Sequence, residues 1–308
     1  MSEVAHPCTR RFEAPRRYEL AGTVGALVLG RHDPTARLSA REFWRAARTP
    51  DGPGALCLSH TGADLVATGH GPGGPWLVER AEALAGLHRE SEAGEFVAAA
   101  SRHPVTAQLA AQRPGLRLPR SERVFQELLA TVLQQKVTGM EAFKAHTAVV
   151  KHFGEPAPGP AGLLLPPDPA AIAAAPYWVF HPLGLERRRA ETLRRAASVA
   201  ARLEETVQMS ASDAARRLRA IPGVGPWTVG ELGRLAYGDP DAVTVGDFHL
   251  PHIVAWRLTG QRRGDDEQML ELLEPFAGFR GWVLRLIMSA GGPPRRGPRS
   301  PVRSFARF

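Results

Sequence analysis

Residues 220–247, AIPGVGPWTVGELGRLAYGDPDAVTVGD, hold two features that can do chemistry: a glycine-pinched turn and a lone aspartate some two dozen residues on. The helical pattern of SDAARRLRA, with Leu218 on its apolar side, is stopped by Pro222. Gly223 and Gly225 allow a turn in which a Cβ would obstruct. Pro226 suits the first position of a following helix, where the missing amide costs nothing. Amides bunched at such a helix start form a seat for a phosphate, so Pro222, Gly223, Val224 and Gly225 read as a loop that lets a nucleic-acid backbone approach closely. Asp247 precedes FHLPHIVAWRL and is most simply an N-cap of that helix. A capping carboxylate stays ionised and aimed, which suits it to stabilise a developing positive charge or to orient a water.

These groups need rigid elements to hold them, and 308 residues suffice for a sizeable core in two subdomains. Residues 1–17 read as a charged, disordered leader. From 18 to 115 the chain reads as a small α+β domain: YELAGTVGALVLG, GALCLSH and DLVATG as strands, SAREFWRAAR (capped by Ser39) and WLVERAEALAGLH as helices. From 116 to 292 the pattern is helical, with helices expected at 122–138, 141–153, 169–175, 187–205, 211–219, 226–237, 248–258, 266–275 and 279–290, after one at 91–101. Residues 155–169, EPAPGPAGLLLPPDP, are too proline-rich for a helix. Residues 293–308 form a basic tail expected to be disordered.

Composition narrows the function. A net charge of +8 favours an anionic partner, although only three of 39 basic residues are lysines (Lys136, Lys144 and Lys151), a bias that GC-rich coding also explains. Two cysteines, Cys8 and Cys57, supply neither a disulfide framework nor a four-cysteine iron–sulfur cluster. No apolar run approaches the roughly 18 residues of a membrane span, and the N-terminus lacks a signal core, so a cytoplasmic, nucleoid-associated monomer is expected. His249 and His252 follow Asp247 but do not make a zinc site.

The hairpin with its spaced aspartate resembles the helix–hairpin–helix DNA glycosylases, and the wider sequence resembles their 3-methyladenine DNA glycosylase II branch. Leu133, Gln135, Val137, Thr138, Ala142 and Gly154 match the branch's first core helices, Gly184, Arg189 and Ala190 a later one, and Arg280 its closing helix. The resemblance implies a mainly α, two-lobed helix–hairpin–helix core behind a small N-terminal antiparallel sheet. It implies a monofunctional enzyme that turns a damaged nucleotide out of double-stranded DNA and hydrolyses its N-glycosidic bond, with Asp247 catalytic. Alkylated purines are the leading substrates. Strand-cleaving relatives carry a lysine where this chain has Trp227, and indole cannot form a Schiff base.

The resemblance also places Trp227, Glu231 and Phe279 at the base pocket, Glu231 standing for a tyrosine and Phe279 for a tryptophan. Gln134, Gln135 and Lys136 fall at the turn that contacts the duplex, with Lys136 where the branch has an apolar wedge. Relatives bind a monovalent cation through hairpin carbonyls, here those of Ile221 and Gly223; no other cofactor is implied. Each position has a plainer reading: Trp227 and Phe279 as core, Glu231 as solvated, the glutamines as local backbone caps, Lys136 as a phosphate contact. Three alternatives stay open at this level: another lesion class, a strand-cleaving lyase using a different lysine, and a non-catalytic DNA-binding module.

Overall fold

Leu65, Ala67 and Gly69 alternate with more exposed neighbours, the pattern of a strand with one face on a core. The computed structural model, which describes residues 7–293, builds a five-stranded antiparallel sheet from β1 (Cys8–Glu13), β2 (Ala36–Leu38), β3 (Glu42–Thr49), β4 (Gly52–His60) and β5 (Asp64–His70), in the order β1-β5-β4-β3-β2. One face packs on α1 (Leu20–Val24), α2 (Gly74–Glu79) and α3 (Ala81–Leu84), joining Phe43, Leu56, Leu58 and Leu65 to Leu20, Val24, Leu77 and Leu84. The other face takes the proline-rich connection, whose Ala161, Leu163 and Leu165 cover Ala46.

Three local expectations are corrected here. Residues 8–13 of the presumed leader form strand β1, paired with β5 from Cys8↔Gly69 to Glu13↔Asp64, with Phe12 turned inward. Its arginines face outward along the sheet edge, a charged edge that resists pairing with other chains. Residues 1–6 lie outside the described residues, as does the basic tail from residue 294. YELAGTVGALVLG forms α1 and a 3-10 turn rather than a strand, because Leu20, Thr23, Val24 and Leu27 share one helical face, three and four residues apart. SAREFWRAAR, expected helical, is mostly strand β3. Ser39 accepts from the amides of Arg41 and Glu42 in the turn entering it, and pairing with β2 and β4 on both sides overrides the local helix preference.

The helical part forms two clusters. The first gathers α6 (Val124–Gln134), α7 (Gly139–Phe153), α8 (Pro169–Ala174), α9 (Arg187–Ser198), α10 (Ala200–Glu204), α11 (Ala211–Arg219) and α12 (Pro226–Leu235) around Leu128, Val132, Leu193, Leu218 and Leu232. The second contains α13 (Leu250–Thr259), α14 (Asp266–Leu273) and α15 (Arg280–Ser289), packed around Val254, Leu273, Trp282 and Ile287. Earlier in the chain, α4 (Ala93–Ala100) and α5 (Pro104–Gln112) join this second cluster through Phe96, Ala100, Leu109 and Ala110. Their core is therefore shared with the C-terminal helices, not with the sheet, and a boundary at residue 115 cuts across it. Helix α5 was absent from the sequence expectations; His103 caps it through Nδ1 and Pro104 opens it. The expected helix 187–205 breaks at Val199.

Buried arginines tie the parts together. Arg189 of α9 donates to the Leu133 carbonyl at the end of α6 (2.9 Å) and pairs with Glu186. Arg45 of β3 and Glu127 of α6 form an ion pair with only 6% and 3% of their side chains exposed, joining sheet to helices. In low dielectric such a pair is worth little net, but breaking it strands a charge. Arg45→Ala is therefore expected to lower the unfolding free energy by about 3–5 kcal/mol in urea titrations. Replacing both partners together (Arg45→Met with Glu127→Met) is expected to recover most of that loss.

Candidate functional site

The turn between α11 and α12 is anchored from beneath. Ile221 and Val224 are buried against Leu218 and Leu232, and Val224 N donates to the Ile221 carbonyl (3.0 Å), leaving Pro222 and Gly223 at the exposed tip. The two glycines do different jobs. Gly223 has φ +101°, and a Cβ there would lie 2.0 Å from Thr192 Oγ1 of α9, so this residue is glycine for the fold. Gly225 has φ −108°, open to any residue, and a Cβ there would meet nothing within 4 Å. Among the described residues, the amides of Gly223 and Gly225 have no acceptor. Exposed, unpaired amides at a helix start are the ingredients of an anion seat.

The loop between α6 and α7 is locked onto this turn. Gln135 Nε2 donates both to the Gly223 carbonyl and to Thr228 Oγ1 of α12, each at 3.0 Å. Gln134 Nε2 donates to the Ala130 carbonyl in its own helix (3.1 Å). Both carboxamides thus donate to the protein's own groups. On the far side of the loop, Thr138 and Glu141 form a capping box at the start of α7. Between these fixed points Lys136 is exposed with φ +54°, a left-handed conformation uncommon for a residue with a side chain.

Asp247 sits just before α13 and is held at both oxygens. Oδ1 accepts from the amides of His249 (2.7 Å) and Leu250 (2.8 Å), and Oδ2 accepts from Trp227 Nε1 (2.9 Å). Trp227 lies in the first turn of α12, in the first helical cluster, while Leu250 belongs to the second, so this bond crosses between them. A carboxylate has about four acceptor positions. Three are used, which leaves one on Oδ2.

The segment delivering Asp247, residues 238–247, is strapped down along its length. Arg280 of α15 grips Asp241 through Nε (2.8 Å) and Nη2. Partial burial alone would raise the Asp241 pKa, but these bonds outweigh it and hold the carboxyl below its usual range. Thr244 donates to Glu231 of α12 (2.9 Å), and Gly246 N donates to Asp266 (2.9 Å).

Of the three residues expected at a base pocket, Trp227 alone reaches the aspartate. Glu231 pairs with Arg234 one turn on (2.6 Å) and accepts from Thr244, so its charge is neutralised internally rather than offered to a ligand or to solvent. Burial would lower the Arg234 pKa, yet this pairing raises it instead. Phe279 sets its ring 6.2 Å from Phe96 and 6.5 Å from Trp282 in the second core, and among the described residues no ring contact joins it to Trp227. One residue escaped the sequence reading. Phe248, beside Asp247, is 79% exposed, and its signal was its place off the buried stripe of Leu250, Val254 and Leu258. Among the described residues no cluster of His, Cys, Asp or Glu is arranged to hold a metal, and no helix is long and apolar enough to cross a membrane.

No family model matches the chain. It is 27% identical over 190 residues to DNA-3-methyladenine glycosylase 2 of Escherichia coli, an alignment covering 60% of this chain and 64% of that protein. It therefore spans just under two thirds of that relative's length. Its fold superposes on a 3-methyladenine DNA-glycosylase from Archaeoglobus fulgidus with a TM-score of 0.76 at 21% identity, over 91% of this chain and 97% of that one. The Clostridium acetobutylicum 8-oxoguanine glycosylase/lyase, solved with double-stranded DNA containing cytosine opposite 8-oxoguanine, superposes with a TM-score of 0.68 at 14% identity, over 93% and 98% of the two chains. In sequence the chain is thus similar to DNA-3-methyladenine glycosylase 2, and in fold it is similar to DNA glycosylases of both the 3-methyladenine and the 8-oxoguanine kind.

Proposed function

We propose that the protein is a monofunctional DNA glycosylase that removes damaged bases, alkylated purines first among them, from double-stranded DNA. The observation that carries this reading is the Asp247 carboxylate, fixed by two backbone amides ahead of α13 and by the Trp227 indole, which ties it to the helix that follows a hairpin with unpaired amides. In the proposed reaction the bond between C1′ and the base nitrogen breaks, and the base leaves with the bonding electrons. Positive charge grows at the sugar, where a fixed carboxylate stabilises it without reorganising. Water then adds to C1′, and its proton passes to Asp247 or to solvent, leaving an abasic site. The free acceptor position on Oδ2 suits this task.

Trp227 supports the hydrolytic form of the reaction, since indole offers no amine for a sugar adduct. Its half-buried aromatic surface also favours an electron-poor, cationic base. The substrate class rests further on the likeness to the Escherichia coli protein, whose name specifies 3-methyladenine. A phosphate would rest on the amides of Gly223 and Gly225. The Ile221 and Gly223 carbonyls each accept one hydrogen bond, from Val224 N and Gln135 Nε2, and keep a second lone pair. They therefore fit a K+ or Na+ that would lend positive charge to the phosphate seat; the hydrolytic step uses the chain's own groups alone.

A panel of duplexes carrying alkylated, deaminated or oxidised bases tests the reading. Asp247→Asn is expected to slow base release by about 1,000-fold while leaving affinity for a duplex containing an abasic analogue intact. Equal function in Asp247→Asn and wild type would instead mark a non-catalytic DNA-binding module, and a borohydride-trapped adduct would mark a lyase.

The two glycines make a second test. Gly225→Ala is expected to keep stability within about 0.5 kcal/mol of wild type but to weaken duplex binding roughly tenfold. Gly223→Ala is expected to cost about 1–3 kcal/mol of stability, read by denaturant titration. If Gly225→Ala binds duplex as tightly as wild type, the hairpin is not where the phosphate rests.

A further inference from the structure

Phe248 is the most exposed large apolar side chain among the described residues, at 79%, ahead of Trp178 at 64%. It follows Asp247 directly, and its backbone is closed into a tight loop by the carboxylate accepting from the two amides after it. Its ring lies 4.9 Å from that of His249 at 85° and 6.3 Å from that of His252 at 69°, propped at a steep angle rather than stacked. A side chain this exposed is a protrusion, not the wall of a pocket.

A nucleotide turned out of a duplex leaves a gap between neighbouring bases, and a flat apolar group fills that gap best. Lys136 stands at the loop position expected to fill it, but it carries a charged, unbranched chain on an exposed left-handed residue. We propose that Phe248, on the opposite side of the hairpin in sequence from Lys136, is the side chain this protein inserts into the duplex beside the extruded nucleotide. Lys136 is then left to contact phosphate. The proposal rests on the glycosylase reading above. It adds that the inserting group and the carboxylate belong to adjacent residues, so insertion and placement of Asp247 at the sugar are one movement.

The test uses the full chain and a duplex carrying a tetrahydrofuran abasic analogue with 2-aminopurine opposite it, which needs no knowledge of the natural lesion. Wild type is expected to prefer this duplex over an intact one and to change the 2-aminopurine emission. Phe248→Ala should lose the emission change and about 10- to 100-fold of the preference, and Phe248→Trp should keep both. Lys136→Ala should weaken binding to both duplexes alike and keep the emission change. The proposal is overturned if Phe248→Ala retains the emission change, or if Lys136→Ala alone removes it. It is also overturned if Phe248→Ala alters only which lesions are excised, because the ring would then be reading the base. A wild type that shows no preference for the abasic duplex would remove the glycosylase reading itself, and this proposal with it.

Discussion

One hydrogen bond, from the Trp227 indole to Asp247 Oδ2, ties the carboxylate to the helix that follows the hairpin. It joins the first turn of α12 to the residue ahead of α13, and those helices belong to different hydrophobic clusters. A shift between the clusters would stretch this contact before disturbing either core. The hairpin that precedes α12 is set by the same first turn. A ligand gripped at the hairpin is therefore presented to a carboxylate whose position is referenced to the same helix.

Around that contact, polar groups that look available in the sequence are used to hold backbone. Gln135 ties the Lys136 loop to both the hairpin and α12 through one amide group. Glu231, Arg234 and Thr244 lock α12 to the segment leading to Asp247, and Arg280 with Asp241 locks that segment to α15. Half-satisfied polar groups in such places would be costly, whereas a closed network fixes one geometry. The proposed reaction, which needs a charge placed closely at a sugar, would depend on this kind of support.

The helical core was largely legible because its signals are local: Pro226 after the glycines, and apolar stripes three and four residues apart. The sheet was legible only in β4 and β5, where apolar runs lie between turn residues. SAREFWRAAR looked helical because its strand identity comes from partners elsewhere in the chain, and Arg45 within it is buried only because Glu127, 82 residues away, meets it. Short-range patterns carry no trace of such a contact. At the site, the aspartate and hairpin could be read from spacing. The internal pairing of Glu231 and Gln135, and the outward aim of Phe248, depend on which neighbour each side chain finds, and spacing does not encode that.

The arginine content illustrates how far composition misleads. A chain of net charge +8 suggests a surface of guanidinium groups reaching for phosphates. Yet Arg45, Arg117, Arg189 and Arg234 are largely withdrawn from solvent and paired with carboxylates, bracing strands and helices against one another. The planar fork of arginine suits that internal bracing as well as it suits a phosphate. What the hairpin offers an anion is instead neutral backbone: two unpaired amides and the positive end of α12. That arrangement has a consequence for recognition. Amides fixed by Ile221, Val224 and Gln135 impose a position on the ligand, whereas long cationic side chains would follow it wherever it moved. For the proposed reaction, in which one carboxylate must meet one sugar carbon, a rigid seat is the more useful of the two.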